Sequence, residues 1–283
     1  MKKFFYVMLI HTSHLLWAQQ VAITIDDFPF RRMGLPKKDE SEMIEKLYHH
    51  LDRFGIKATG FLNSGRLKPE SEDGLRDFLK RGHEFGNHTH RHLNIDKVGA
   101  NIFIADIDSG WVNGKNYINT NYFRYPYLRR GNTLERRDSV YAHLNKNGYK
   151  IAPISIDNNE WIYNRDYVKA KSTGMSKKMD SISKAYLTHM KKASLKYEKK
   201  AKKFTGRSVK HILLLHANPI NAEFLGDLLK WYQEQEWEFI TLEEALKDSI
   251  YSIKDEFASP YGWSQIDRME KLAKGPSSLP TDR

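Results

Sequence analysis

Short runs of β-branched and aromatic residues alternate along this chain with longer stretches whose apolar positions recur every three or four residues. Val21 to Ile25, Ala58 to Leu62, Glu84 to Asn87, Tyr122 to Tyr125, Tyr149 to Ile156, Val209 to Leu215 and Phe239 to Thr241 read as strands. Ser41 to Phe54, Asp73 to Arg81, Ile95 to Gly110, Thr133 to Asn147 and Ala222 to Gln235 read as helices between them, with a long basic helix after Ile156. No hairpin signal joins neighbouring runs, so the strands are expected to lie parallel, each joined to the next by a helix. Thr241-Leu-Glu-Glu244 has the form of a capping box and starts one more helix. About seven such units in a chain of 283 residues suit a closed α/β barrel in a single domain. The rival is an open doubly wound sheet, which the lack of a Gly-rich dinucleotide fingerprint disfavours.

In a parallel barrel the C-terminal strand ends share one face, where active sites form. The polar residues of interest fall at those ends. Asp26 and Asp27 follow the first strand, His88 to His92 the third, Arg124 and Tyr127 flank the end of the fourth, Asp157, Glu160 and Trp161 follow the fifth, and His216 closes the sixth. His88 and His92, four residues apart, would point the same way on a helical turn and could share one metal, with a carboxylate from a neighbouring loop as third ligand. The bland reading is surface or stacking histidines. His83, before the strand end, and His90, on the opposite face, are the decoys. Adjacent aspartates leave a strand in different directions, so one can bind metal while the other acts as a base; a helix cap beside a solvated acid is the alternative. With no cysteine in the chain, thiolate ligands and disulfides are excluded.

Taken together, Thr24-Ile-Asp-Asp27, His88-Thr-His-Arg-His92, Arg124-Tyr-Pro-Tyr127, Asp157-Asn-Asn-Glu-Trp161 and Leu214-Leu-His216 resemble the five ordered motifs of the polysaccharide deacetylases, the NodB-homology group or carbohydrate esterase family 4. The resemblance runs from about Val21 to Leu246. It implies a distorted (β/α)7 barrel and a divalent metal, usually zinc, with cobalt, nickel or manganese as alternatives. Carried over by motif, Asp27, His88 and His92 would hold the metal, and Asp26 would be the general base that activates water. Arg124 would orient Asp26, and the backbone N–H of Tyr127 would stabilise the oxyanion. His216 would protonate the departing amine, Asp157 would orient His216 and favour its charged form, and Trp161 and Leu214 would wall the acetyl pocket. The chain departs from the pattern at Glu160, where Asp is commoner; its longer arm makes Glu160 a rival to Asp157 for the contact with His216. The implied reaction is removal of N-acetyl groups from peptidoglycan, a chitin-like polymer or an exopolysaccharide. The alternatives are O-acetyl ester hydrolysis, as in an acetylxylan esterase, and an inactive glycan-binding module that would have lost a base or a ligand.

The formal net charge of +11 is concentrated between Val168 and Lys210, which hold 14 Lys or Arg against two acids. Apolar residues from Met175 to Phe204 recur at helical spacing within it, so the segment reads as an amphipathic helix with a basic outer face. That face is either simply solvated or drawn to an anionic envelope or acidic glycan; no nucleic-acid motif accompanies it. The segment 162–210 exceeds a minimal family member, and would shape one end of the glycan groove or cover the bottom of the barrel. Lys2 and Lys3, the mostly apolar run from Phe4 to Trp17 and the small Ala18 resemble a signal peptide, which implies export to the periplasm or medium. The expected organisation is therefore a signal peptide over 1–18, one deacetylase domain over 19–274, and a Pro/Ser-rich flexible tail over 275–283.

Overall fold

A computed structural model describes residues 18–31, 33–254 and 257–274. The expected signal peptide, apart from Ala18, and the expected tail lie outside the described residues. In chain order the elements are β1 (Gln20–Phe28), α1 (Lys38–Arg53), β2 (Thr59–Leu62), α2 (Glu72–Lys80), β3 (Glu84–Asn87), α3 (Ile95–Val98), α4 (Ala100–Gly114), β4 (Tyr122–Phe123), α5 (Leu134–Lys146) and β5 (Lys150–Ile151). They continue with α6 (Glu160–Ser172), α7 (Ser176–Thr205), β6 (Lys210–His216), α8 (Pro219–Glu234), β7 (Glu238–Ile240), α9 (Leu242–Ala245) and α10 (Gln265–Lys274). Short 3-10 turns punctuate the loops.

All strand pairs are parallel, in the order β5-β4-β3-β2-β1-β6, with β7 paired to the start of β1. The curl is carried round by Ile156, which bridges in parallel to Leu213 of β6. The outcome is a distorted (β/α)7 barrel. β1 is its central stave, buried over nearly its whole length because helices cover one face and the barrel interior the other.

The departures from the sequence reading have local causes. The strand expected from Tyr149 to Ile156 is paired only at Lys150–Ile151 and again at Ile156. Pro153 lies between them and cannot donate to a ladder. The helix expected over Ile95 to Gly110 is interrupted at Gly99, whose φ of 80° no helix accommodates. The single long basic helix is two, α6 and α7, separated at Gly174 with φ 67°. α10 has no counterpart in the sequence reading. The capping box at Thr241 forms as expected, with both reciprocal bonds to Glu244.

α7 packs along its neighbouring helices. Its apolar face (Tyr186, Met190, Ala193, Tyr197 and Ala201) is buried against α6, α8 and α10, while its lysines face outward. Among the described residues, no helix is long and apolar enough to cross a membrane.

Candidate active site

Five strand ends open onto one cavity of about 830 Å³. Asp26, Asp27, His88, His92, Tyr127, Asp157, Trp161, Leu214 and His216 all line it, while Arg124 stands buried behind Asp26. His83 is remote from it, buried against Phe78 at a ring separation of 4.3 Å, and His90 is hydrogen-bonded to Ser64 instead.

Two consecutive aspartates sit near the end of β1, where the register with β2 shifts between Ile25 and Phe28 and Asp27 has φ 68°. Their carboxylates take different partners. Asp26 lies under the Arg124 guanidinium, with Nη1 at 3.2 and 3.4 Å from its two oxygens. Arg124 is fully buried, and the rest of its fork is also used. Nε donates to the Ala152 carbonyl, Nη2 donates to Thr24 Oγ1 at 3.1 Å, and the plane lies 4.4 Å over the Phe61 ring. With each of its three nitrogens engaged, Arg124 is a fixed charge. Even so, burial raises the Asp26 carboxyl above its ordinary value and Arg124 only partly offsets this.

Asp27, His88 and His92 present ligand atoms that all lie within 4.8 Å of one another. The histidines do not sit on a helical turn, contrary to the expectation from their spacing. Residues 88–94 form a loop, with Thr89 at φ 65° and His92 at φ 56°. Asn87 Oδ1 accepts from Thr89 N at 2.8 Å, the buried Asp106 carboxylate accepts from Arg91 N, and Thr89 Oγ1 accepts from His92 N at 3.1 Å. Gly110 of α4 lets the helix approach this loop: a Cβ there would stand 2.5 Å from Asn87 Oδ1.

The donor set fits a divalent cation. His88 Nδ1 donates to the Arg124 carbonyl at 2.8 Å, which fixes the tautomer and leaves the Nε2 lone pair facing the cavity. Burial pushes the imidazoles down, to about 4 for His88 and about 3 for His92, so both are neutral at physiological pH. Asp27 Oδ1 is buried and accepts no hydrogen bond, yet lies 3.4 Å from His92 Nε2 and 4.0 Å from His88 Nε2. Arg66 Nη1 lies 2.9 Å from it but is not aligned to donate, so a metal ion there would satisfy a buried oxygen that accepts no hydrogen bond. Burial alone would raise the Asp27 carboxyl, but neighbouring positive charge, that of His216 first and Arg66 among the rest, holds it well below the usual carboxylate range.

His216 ends β6 directly opposite Asp26 in the sheet register. Its Nδ1 lies 3.1 Å from Glu160 Oε1, which also accepts from the His216 backbone N–H at 2.8 Å. This corrects the assignment of that contact to Asp157. Asp157 lines the cavity but accepts from its neighbour Asn158 N at 2.8 Å, and burial raises its carboxyl. Glu160, at the start of α6, is wholly buried and is held in turn by Asn218 and Asn221 Nδ2, the latter at 2.7 Å. Asn221 Oδ1 accepts from Tyr186 of α7 at 2.7 Å, so a buried chain of hydrogen bonds runs from α7 to His216. Burial would depress the His216 imidazole, but Glu160 overcomes it and pushes it up to about 9.

Trp161 is half exposed at the rim, and Leu214 is buried on the wall. Tyr127 has a left-handed backbone, φ 56°, and its ring packs edge-on 4.5 Å from His92. Gly262 presses against its carbonyl, where an added Cβ would sit 1.8 Å away. Gly262, Asn221, Asp106 and Arg66 were not singled out from the sequence. Of these, Asp106, an acid on an apolar helical stretch, was the most visible.

The polysaccharide deacetylase family model matches residues 17–152, which include Asp26, Asp27, His88, His92, Arg124 and Tyr127. Comparison with curated proteins gives no match. Solved structures share the fold. The polysaccharide deacetylase Bc1974 from Bacillus cereus has a TM-score of 0.56 at 20% identity, over 79% of this chain and 91% of that one. Peptidoglycan deacetylase PdaC from Bacillus subtilis gives 0.54 at 18%, over 81% and 92%. A mutant of a family 4 pseudoenzyme, BA3943, gives 0.55 at 16%, over 82% and 68%. Residues 17–152 match the polysaccharide deacetylase family and the described residues share the fold of its solved members, which together support the NodB-homology group of carbohydrate esterase family 4.

Proposed function

We propose that this chain is an active hydrolase that removes N-acetyl groups from a polysaccharide outside the cytoplasm. The observation that carries the reading is the pairing of Asp26 with His216 across β1 and β6, with Glu160 behind the imidazole. An amide differs from an ester in its leaving group: an amine departs only if it is protonated. A histidine kept charged to about pH 9 supplies that proton at neutrality, which favours amide over ester hydrolysis. Asp26, Asp27, His88, His92 and His216 are all in place, as an active member needs and a glycan-binding remnant would not.

Asp27, His88 and His92 are the residues that would hold a divalent metal, zinc by the match of imidazole and carboxylate donors, with cobalt, nickel or manganese as substitutes. Bound there, the metal would supply Lewis-acid activation of water and of the acetyl carbonyl. Asp26 accepts the proton from attacking water, and Arg124 holds its carboxylate toward the cavity. The Tyr127 loop, locked by Gly262, faces the developing oxyanion. His216 delivers its Nε2 proton to the nitrogen, while its Nδ1–H stays donated to the Glu160 carboxylate, which compensates the imidazolium charge. Asp157, Trp161 and Leu214 border the space for the acetyl group and its sugar. Export rests on the charged start and apolar run of residues 1–18, and association of the basic 168–210 face with an anionic envelope is consistent with it.

The test is mass spectrometry of acetylated glycans, N-acetylated and O-acetylated, incubated with the metal-loaded chain. Loss of acetyl with a new primary amine is the expected result. Release from O-acetyl substrates alone would replace this reading with an esterase, and no release from any would replace it with a binding module.

A further inference from the structure

A second cavity, of about 550 Å³, opens at the other end of the barrel from the active site. Asn119, Thr120 and Asn121 in its lining lead into β4, and Tyr149 leads into β5. It therefore lies at N-terminal strand ends, whereas the catalytic residues lie at C-terminal ones. The two cavities share no residue. α4 supplies one wall through Asp108, Trp111 and Val112, which are three and four residues apart and fall on one face of that helix.

Trp111 is 44% exposed, although an indole gains more than any other side chain from being covered. The polar groups around it are anchored from behind and keep bonding capacity to spare. Asn119 Oδ1 accepts from Phe85 N at 2.8 Å, and Asn121 Nδ2 donates to the Gly148 carbonyl at 2.8 Å. Among the described residues, the other amide atom of each, Asn119 Nδ2 and Asn121 Oδ1, has no partner. The Tyr149 hydroxyl accepts from Asn87 Nδ2 at 3.0 Å, and its own proton has no acceptor among the described residues. One wall thus offers two spare donors and a spare acceptor beside an aromatic face.

The charge of this wall is also distinctive. The chain carries a formal net charge of +11, yet among the described residues none that lines this cavity is Lys or Arg. Its single carboxylate, Asp108, is paired with His143 at 2.8 Å. A ligand that suits it is uncharged, has one apolar face for the indole, and carries groups that both donate and accept. A sugar ring has all three: C–H bonds on one face and hydroxyls around its edge.

We propose that this cavity is a second glycan-binding site, which holds an uncharged sugar of a polymer away from the catalytic cleft. Trp111 stacks on the ring, while Asn119, Asn121 and Tyr149 meet its hydroxyls. The site takes no part in the reaction. Its purpose rests on the deacetylase reading: a chain held on its polymer meets acetylated sugars at a raised local concentration. Its binding chemistry does not depend on that reading.

The test is native electrophoresis of the whole chain through gels that hold a soluble neutral polymer, glycol chitin or hydroxyethyl cellulose, with polygalacturonate as the anionic control. At least one neutral polymer should retard the wild type. Trp111→Ala should weaken that affinity by about tenfold, the scale of one lost aromatic contact, and Trp111→Phe should restore most of it. Retardation by polygalacturonate, which positive charge alone produces, should be alike in all three. Acetate release by the metal-loaded chain from a soluble N-acetylglucosamine trimer should be the same in Trp111→Ala as in the wild type. Equal retardation of wild type and Trp111→Ala by both neutral polymers, or none, overturns the proposal. So does retardation lost in Trp161→Ala of the cleft and kept in Trp111→Ala, or trimer hydrolysis that falls in Trp111→Ala. Retardation that depends on Trp111 in a chain that releases no acetate supports the second site while overturning the hydrolytic reading.

Discussion

Glu160 Oε1 lies 3.1 Å from His216 Nδ1 and also accepts the His216 backbone N–H, so one buried carboxylate fixes both the position and the charge of the imidazole. Glu160→Gln keeps the shape and removes the charge. Burial then acts on His216 unopposed by its main partner, and its pKa should fall from about 9 to the ordinary imidazole range or below. His216 must be protonated to act, so activity is lost as pH rises through its pKa. The alkaline limb of the pH–rate profile should therefore lie near pH 9 in the wild type and move down by about two units in Glu160→Gln. Asp157→Asn should leave that limb where it is. A limb that moves with Asp157 and not with Glu160 would contradict the geometry.

Removal of His216 should discriminate between leaving groups. His216→Ala should slow amide hydrolysis by roughly two or more orders of magnitude, the usual scale for losing a proton-transfer group, and an activated aryl acetate far less. Equal losses on both substrates in steady-state assays would exclude His216 as the acid.

Arg124 is a buried cation whose partners, Asp26, Thr24 and the Ala152 carbonyl, all lose their bonds if it is cut back. Arg124→Ala should destabilise the fold by about 3–5 kcal/mol, the range for breaking a buried ion pair from one side. Chemical denaturation reads this directly; a change within error would mean that the Asp26–Arg124 pair is not formed.

Gly262 touches the Tyr127 carbonyl so closely that any side chain must push the loop. Gly262→Ala should lower kcat while leaving bound metal at wild-type stoichiometry, because Asp27, His88 and His92 stand on other segments. Unchanged kcat would show that the loop can yield without cost to the reaction.

Much of the architecture was legible because parallel strands buried on both faces leave continuous apolar runs: Val21 to Ile25 and Val209 to Leu215 sit on the paired parts of β1 and β6. The fifth strand was overextended because an apolar run alone does not reveal that Pro153 interrupts the ladder. The cluster of Asp27, His88 and His92 was visible as residue types, but the helical spacing argument misjudged its backbone, which is a loop tied down by Asn87 and Asp106. Glu160 and Asp157 could not be ranked from sequence, since three residues at the start of a helix separate their directions. Gly262 gave no signal at all, because its role lies in the proximity of a distant carbonyl.

The central claim is hydrolysis at a metal held by Asp27, His88 and His92 with Asp26 as base, and acetate release from an N-acetylated glycan tests it most directly. Release should vanish on chelation and return with zinc, His88→Ala should lose both the metal and the activity, and Asp26→Asn should keep the metal while losing roughly two or more orders of magnitude in rate. Release that survives chelation, or an Asp26→Asn variant as fast as the wild type, would contradict the account.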